Sequence, residues 1–530
     1  MVGYVSLILK NKRFKVNKQK VEKKSRYFES LLSPNFNDSR KEEHIINYNI
    51  CLHTLKNFIE WVHDDSCADI CHNRLKVSME KFANRRFAEL LNLLELSVLF
   101  LADELTCDIV DVIALNWLLP GKVIDVWLLA EELNVKVLRD ICMSVCLDRF
   151  TELPTESVVR LSKDQFTRLI NNVNKSIPAI DTNCVTDKWS KYNNLTLDVV
   201  RSQKKRKRLH GSVVYRIGNQ QRCKENTDKT AYVYIWNDSG QKFINVPEFV
   251  KHLVGMQFIA KGFSIYLVGG ETGFGTGKFN QIILRYCLIS KKWYYQATLP
   301  SPRRHMIAAF LGNNLVLVGG VGKYRLQLKS VDILDIQTGR WEDGERILET
   351  FINVPPHCVA NGALFFLKSA LYVYFFTNDG SQSHLLSIPM NFSNSSVLLM
   401  RETTLLVDAI NHSGETTLSR ITVESACEQE NCSVNNVEHR PIPYDDQLEE
   451  IREISITLNS TNTRYNLCVR SARLILDGLS SNMTTIVPRD EDLCLHIHTE
   501  VNNDFTDIFV PKGNCFDLID PDSLYDTVEN

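Results

Sequence analysis

What this 530-residue sequence lacks narrows its function before any motif is considered. It has no excess of charge of either sign, since 61 basic against 63 acidic residues leave a formal net charge of −2. Whole-chain electrostatics therefore favour neither a nucleic acid nor a membrane surface, and a partner must be sought locally. Its longest apolar runs fall far short of a membrane span. From Met1 to Leu7 the chain enters an alternating pattern and meets Lys10, Lys12 and Arg13 before any long apolar stretch, so no signal peptide is expected. The fifteen cysteines have no framework spacing, which fits a reducing compartment where they act as small buried hydrophobes. The expected location is the cytoplasm, with the nucleus also open. Catalytic signatures are missing as well: there is no Walker-type phosphate loop, no Gly-x-Ser-x-Gly elbow and no His-Glu-x-x-His. The glycine-rich run Gly270 to Lys278 invites a nucleotide reading, but a phosphate loop must open a helix. Here Asn280 to Tyr286 continues as a strand, so the run is expected to be an inter-strand loop.

What is there is ample apolar material, 44% of the chain, enough for two or three domains with true cores. Ile265-Tyr266-Leu267-Val268-Gly269-Gly270, then Tyr286 and Trp293, recurs about fifty residues later as Leu315-Val316-Leu317-Val318-Gly319-Gly320, then Leu334 and Trp341. Such a period marks a propeller or solenoid. The apolar quartet reads as a buried strand, and the glycine pair as an exit needing positive φ or no Cβ. The tryptophan is read as a wedge buried between neighbouring sheets. Leu299 to His305 forms a turn that sets up the next unit. This pattern resembles the Kelch repeat. Beyond it the signature erodes: Leu364 to Leu367 is followed by Lys368-Ser369, and Leu405 to Val407 by Asp408-Ala409. Residues 230–530 at this period would give six blades with degenerate C-terminal members; five blades or an open ring stay open.

The N-terminal region reads differently. Val5 to Leu9 alternates like a half-buried strand, Asn11-Lys12 turns it, and Arg13 to Val16 returns as its hairpin partner. A helix follows through Val21, Ser25, Tyr27-Phe28 and Leu31-Leu32, stopped by Ser33-Pro34-Asn35. Ile45-Ile46 is a short strand and Leu52 to Val62 the next helix. With Phe36-Asn37-Asp38-Ser39-Arg40, this ordered set resembles the BTB (POZ) domain. An insert at 63–86 carries His63, Cys67, Cys71 and His72, a spacing that could hold zinc, although no tight Cys-x-x-Cys pair is present and no metal is assigned. Helical patterns resume at Phe87. The pair Asp125 to Asn134 and Leu138 to Cys146, followed by Phe150 and Val158 to Ser162, resembles the BACK domain, with Cys142 and Cys146 as core fillers. Residues 173–229 read as a polar linker holding the basic run Arg201 to Arg208. That run could be a nuclear signal or a nucleic-acid contact, but a solvated charge cluster is expected, because it has no interleaved aromatics to stack on bases.

The resemblances give a multidomain chain: an α/β BTB domain over 1–112, an all-α BACK domain over 113–172, the linker, and an all-β Kelch propeller over 230–530. They occur in the order of the Kelch-like family. The resemblance implies a homodimer through BTB, binding of cullin-3, a propeller that holds a protein substrate, no cofactor, and no enzymatic activity of its own. The family's cullin contact carries over to Phe36 and Asp38, with Leu31 and Leu32 on the helix before. Substrate contacts are expected in the loops after the glycine pairs, at Glu271, Phe274 and Lys278 and at Lys323 and Arg325. Gly269, Gly270, Tyr286, Trp293, Gly319, Gly320 and Trp341 are expected to be structural. Only Met1 to Tyr4 precede the first strand where family members carry a longer segment, so a weaker dimer is expected. The alternative is a cytoskeletal or scaffolding protein of the same architecture without ligase activity, and a nuclear transcription regulator using the basic run is a third reading.

Overall fold

The computed structural model describes residues 3–35, 41–64, 85–172, 179–195, 208–217, 230–237, 240–247, 250–360, 362–376, 382–389, 394–401, 404–410, 416–425, 449–458, 468–474, 495–496, 508–511 and 516–525. Contacts gather the chain into two units. One holds Met1–Lys207 with Tyr286–Tyr295 and Ile519–Asn530; the other holds Arg208–Arg285 and Gln296–Leu518.

The first unit opens with the hairpin Tyr4–Leu9 and Lys12–Asn17, and the strand Glu43–Ile45 adds in parallel to Tyr4–Leu9. Lys10 and Asn11 take φ of 47° and 63°, the left-handed pair that a two-residue hairpin turn demands. One expected helix is two, Lys18–Lys24 and Arg26–Leu31. Ser25 stands between them in an extended conformation. Its hydroxyl accepts from Phe28 N and donates to the Phe100 carbonyl at 2.5 Å, so the break is used to pin this corner to the helix Phe87–Leu99. Phe28, Phe58 and Phe100 meet there with ring centroids 5.0 to 6.1 Å apart, at spacings that aromatic pairs favour.

Helices Leu52–His63, Phe87–Leu99, Asp103–Asn116, Pro120–Glu132, Lys136–Asp148 and Lys163–Ile170 follow. The boundary expected at 112/113 falls inside the single helix Asp103–Asn116. Cys142 and Cys146 are fully buried, and burial pushes both thiols up. The linker expected over 173–229 is corrected at two places. Ala179–Asn193 is a helix and Arg208–Ile217 a strand. Trp189 explains the first: fully buried, it stacks on Phe166 at 4.7 Å and donates Nε1–H to the Leu161 carbonyl. One large aromatic outweighs a polar surround once it finds a slot. The basic run lies outside the described residues, apart from Arg208 at the start of the strand.

The β region is built from sheets whose strand pairs are antiparallel with one exception among the described residues. Three consecutive four-stranded meanders run Gln257–Lys261, Ser264–Val268, Ile282–Cys287, Lys292–Thr298; then Ile307–Leu311, Asn314–Val318, Val331–Asp335, Trp341–Gly344; then His357–Ala360, Ala363–Leu367, Ala370–Phe376, Ser383–Pro389. The apolar quartets have a plain cause. Leu315, Leu317 and Leu334 pack with Tyr266, Val268 and Ile283 of the preceding sheet, whereas Val316, Val318 and Ile333 pack with Leu364, Phe366 and Tyr372 of the next. A strand buried on both faces carries no polar alternation, and each such side chain is worth about 1.5–3 kcal/mol of burial.

Three further sheets complete the described β structure, the smallest being the antiparallel pair Leu253–Val254 with Glu271–Thr272. Residues 394–474 contribute five strands that include one parallel pair, Thr416–Ser425 with Glu449–Leu458. Arg208–Ile217, Thr230–Asn237 and Gly240–Asn245 join Ile508–Pro511 and Leu495–His496, with Phe516–Ile519 also pairing to Arg208–Ile217. Thr230–Asn237, whose residues Ala231 to Trp236 read in the sequence as the outer part of a blade leading into the first clear repeat, lies inside this sheet between Arg208–Ile217 and Gly240–Asn245.

Candidate functional site

The glycine pairs explain how the second unit builds a cleft. Gly269 and Gly270 have φ of 65° and 98°, Gly319 and Gly320 of 58° and 92°. A Cβ on Gly269 would lie 2.6 Å from the Arg303 carbonyl oxygen, and one on Gly320 2.8 Å from that of Arg304. The segment Ser301–Met306 thus passes against both corners, fixed by Gly270 N–H to the Arg303 carbonyl at 3.0 Å and by Arg304 and Val321 exchanging bonds at 3.0 and 2.8 Å. Arg303 itself is fully buried, donating to Asp332 and Ser330 Oγ and to the Gly319 carbonyl. Burial pulls the guanidinium's pKa down and pushes the Asp332 carboxyl up, with the mutual charge opposing both. In the third meander Lys368-Ser369 is a tight turn from Ala363–Leu367 to Ala370–Phe376. No loop leaves there, so no glycine pair is needed.

From each corner a loop projects. In the first, Glu271 is 2% exposed; its carboxylate accepts Gly277 N–H at 2.8 Å and pairs with Arg304 Nε at 2.9 Å. The Arg304 guanidinium carbon sits 5.2 Å from the Phe274 ring centre, and Arg304 Nη1 contacts His305 Nδ1 at 2.8 Å. Burial and the neighbouring Arg304 charge hold His305 below its ordinary pKa, partly offset by Glu271. In the second loop, Gly322 N–H bonds the Leu326 carbonyl at 2.8 Å and closes a turn in which Tyr324 and Arg325 take φ of 55° and 59°. The loops enclose a cleft of about 580 Å³ lined by Glu271, Phe279, Arg304, Lys323, Tyr324 and Arg325. That size suits a small ligand or a few peptide residues.

Of the residues the sequence singled out, Glu271, Lys323 and Arg325 line this cleft, and Phe274 stands beside it on Arg304. Lys278 is exposed on the returning limb, where its backbone closes the loop with Thr272. Arg304, His305 and Tyr324 were missed. A signal for the first two existed, since they end the turn before the second repeat. Trp293 and Trp341, expected as buried wedges, are only half-buried. Trp293 lies against Tyr286 at 5.1 Å, and Trp341 pairs across from Leu334 at the cluster's edge. The buried aromatic is Tyr294, one position on and facing the opposite side of the strand; its hydroxyl bonds Asp111 Oδ1 at 2.9 Å and Ser290 Oγ at 2.8 Å.

In the first unit, Leu31 is half-buried, and Leu32, 3% exposed, is a core residue that presents nothing to a partner. Phe36 and Asp38 lie outside the described residues, as do Cys67, Cys71 and His72. His63 Nε2 accepts Asn17 N–H at 3.1 Å, and no group of metal-ligating side chains occurs among the described residues. No described helix is long and apolar enough to cross a membrane. A groove of about 870 Å³ runs past Lys10, Tyr48, Cys51, Leu96, Leu99 and Leu133. Compared with known proteins, the chain matches no protein-family model and no curated protein sequence.

Proposed function

We propose that this chain is a non-catalytic substrate-recognition adaptor of a cullin-3 ubiquitin ligase, in which the N-terminal region binds the cullin and the β region holds the protein to be modified. The observation that carries the reading is the convergence of two repeat loops on one cleft with exposed aromatic and cationic side chains. Such a surface is suited to contact, and its polar groups include no nucleophile paired with a base. The β-β-α opening followed by paired helices agrees with BTB and BACK resemblances, and three successive meanders packed face to face agree with propeller blades. Under this reading the sheet shared by 208–245 and 495–519 is the closing blade, which unites the first and last strands and leaves few open edges. The described residues supply five sheets of four or more strands, one fewer than the six expected, and the parallel pair within 394–474 departs from a blade's meander.

Capture from cells tests the proposal. Tagged chain should bring down cullin-3, and changing Phe36 and Asp38 together to Ala should weaken that capture by about 2–4 kcal/mol, the loss expected when a hot-spot anchor goes. Capture of cullin-3 by the double variant as strong as by the parent would sink the assignment of these residues. Recovery of actin filaments without cullin-3 would favour the scaffolding alternative.

A further inference from the structure

The cleft between the two loops has a charge pattern that names its ligand class. It holds one carboxylate, Glu271, and that group is already committed: buried beneath the loop, it faces Arg304 and the Gly277 amide. Lys323 and Arg325 are exposed at the rim, and neither has an ion-pair partner among the described residues. Beside them stand two aromatic rings in water, Phe274 at 69% exposure and Tyr324 at 99%. Large apolar side chains left open together mark contact surfaces. Tyr324 and Arg325 both occupy the left-handed region that a β-carbon disfavours, and strain of this kind gathers at ligand-binding turns. The turn is nevertheless fixed by backbone bonds from Gly322 to Leu326 and from Leu326 to Lys323, so binding has to order the side chains but not the backbone that carries them.

We propose that this cleft binds a short acidic peptide segment, with its carboxylates on Arg325 and Lys323 and an aromatic or aliphatic neighbour between Tyr324 and Phe274. This deepens the adaptor reading and rests on it for the biological role of the site, though not for the binding itself. A guanidinium meets a carboxylate through two parallel donors, and an adjacent ring supplies apolar area at little entropic cost. A nucleic-acid strand fits less well. It requires a track of cations along its backbone, whereas here two cations share one rim of a cleft whose floor contains a carboxylate.

The test uses the full chain and fluorescein-labelled peptides of about a dozen residues, alternating Glu with Tyr, Gln with Tyr, or Glu with Ser. The Glu–Tyr peptide should bind best, and more weakly as salt rises. Arg325→Glu and Tyr324→Gly should each lower its affinity roughly tenfold or more, while Arg325→Lys, which keeps the charge but not the two parallel donors, should lower it by less than Arg325→Glu does. Both sites are exposed, and glycine suits the backbone at 324, so an unchanged circular dichroism melt is expected for each of the three variants. Equal binding of the Gln–Tyr peptide, or no response to Arg325→Glu, overturns the proposal. So does an oligothymidylate that binds the same cleft more tightly, which would make it a nucleic-acid surface. A chain that binds the Glu–Tyr peptide yet captures no cullin-3 would remove the adaptor reading and leave this one standing; the reverse pattern would do the opposite.

Discussion

At Cys51 a backbone changes the chemistry of a side chain. Cys51 is the N-cap residue of the helix Leu52–His63, and the nearby amides of His53 and Thr54, with the charge on Lys10, hold its thiol pKa below that of a free cysteine. Helix N-termini stabilise thiolates for the same reason that they bind anions. Cys142 and Cys146 show the reverse, pushed up by complete burial. The consequence for pH follows from which form each site favours: a depressed pKa means that the thiolate, the reactive species, appears at lower pH. Iodoacetamide at neutral pH should therefore label Cys51 several-fold faster than it labels free cysteine, and the rate should reach half its maximum at a lower pH. Mass spectrometry of peptides at timed intervals measures this. A rate profile matching free cysteine would contradict the assigned environment.

Between residue and fold, the glycine corners decide where loops leave a sheet. Gly320 and Gly339 both have positive φ, but only Gly320 has backbone pressed against the space a Cβ would fill; nothing lies within 4 Å of the site on Gly339. Ala at 339 should cost about 1 kcal/mol, the ordinary penalty for a left-handed non-glycine residue. Ala at 320 should cost about 3 kcal/mol or more, because the passing segment must move as well. Urea unfolding of the two variants separates conformational strain from close approach, and equal losses would show that the crossing at Arg304 is not tight. This corner was legible in the sequence through its glycine pair, as were the strands before it. The wedge role given to Trp293 and Trp341 was not. Which of two adjacent aromatics faces inward depends on strand register, and Trp293 and Tyr294 offer equivalent patterns. Arg304 escaped for a different reason: its partner Glu271 lies across a repeat boundary, a pairing that spacing alone does not reveal.

For the whole molecule, self-association turns on what the helical region exposes. Leu94 and Val98, with Leu101, are the apolar positions an amphipathic reading offers to a second copy. Leu94 is fully buried, whereas Leu99 and Leu101 are 37% and 45% exposed. We expect a homodimer that sediments with dilution-dependent mass between micromolar and nanomolar protein. Leu99→Ser with Leu101→Asn should shift it towards monomer; Asn tolerates the left-handed conformation that Leu101 adopts at φ 49°. A monomer at every concentration would remove the dimer, and an unshifted variant would move the interface elsewhere. The helices at the N-terminus were legible because their apolar periodicity is strong. The helix around Trp189 was hidden in a polar stretch whose single large aromatic carried the signal.

The pairing of Arg208–Ile217 with Ile508–Pro511 also sets a schedule for synthesis. At roughly 5–20 residues per second, the partner strand leaves the ribosome about 15–60 seconds after the strand it must join. Throughout that interval Arg208–Ile217 has one neighbour and an open edge, and a distant pairing of this kind is slow to form. Nascent chains that stop short of residue 508 would keep the edge for good. For the cell, the emergence of residues 508–511 ends the interval in which chaperones must shield that edge.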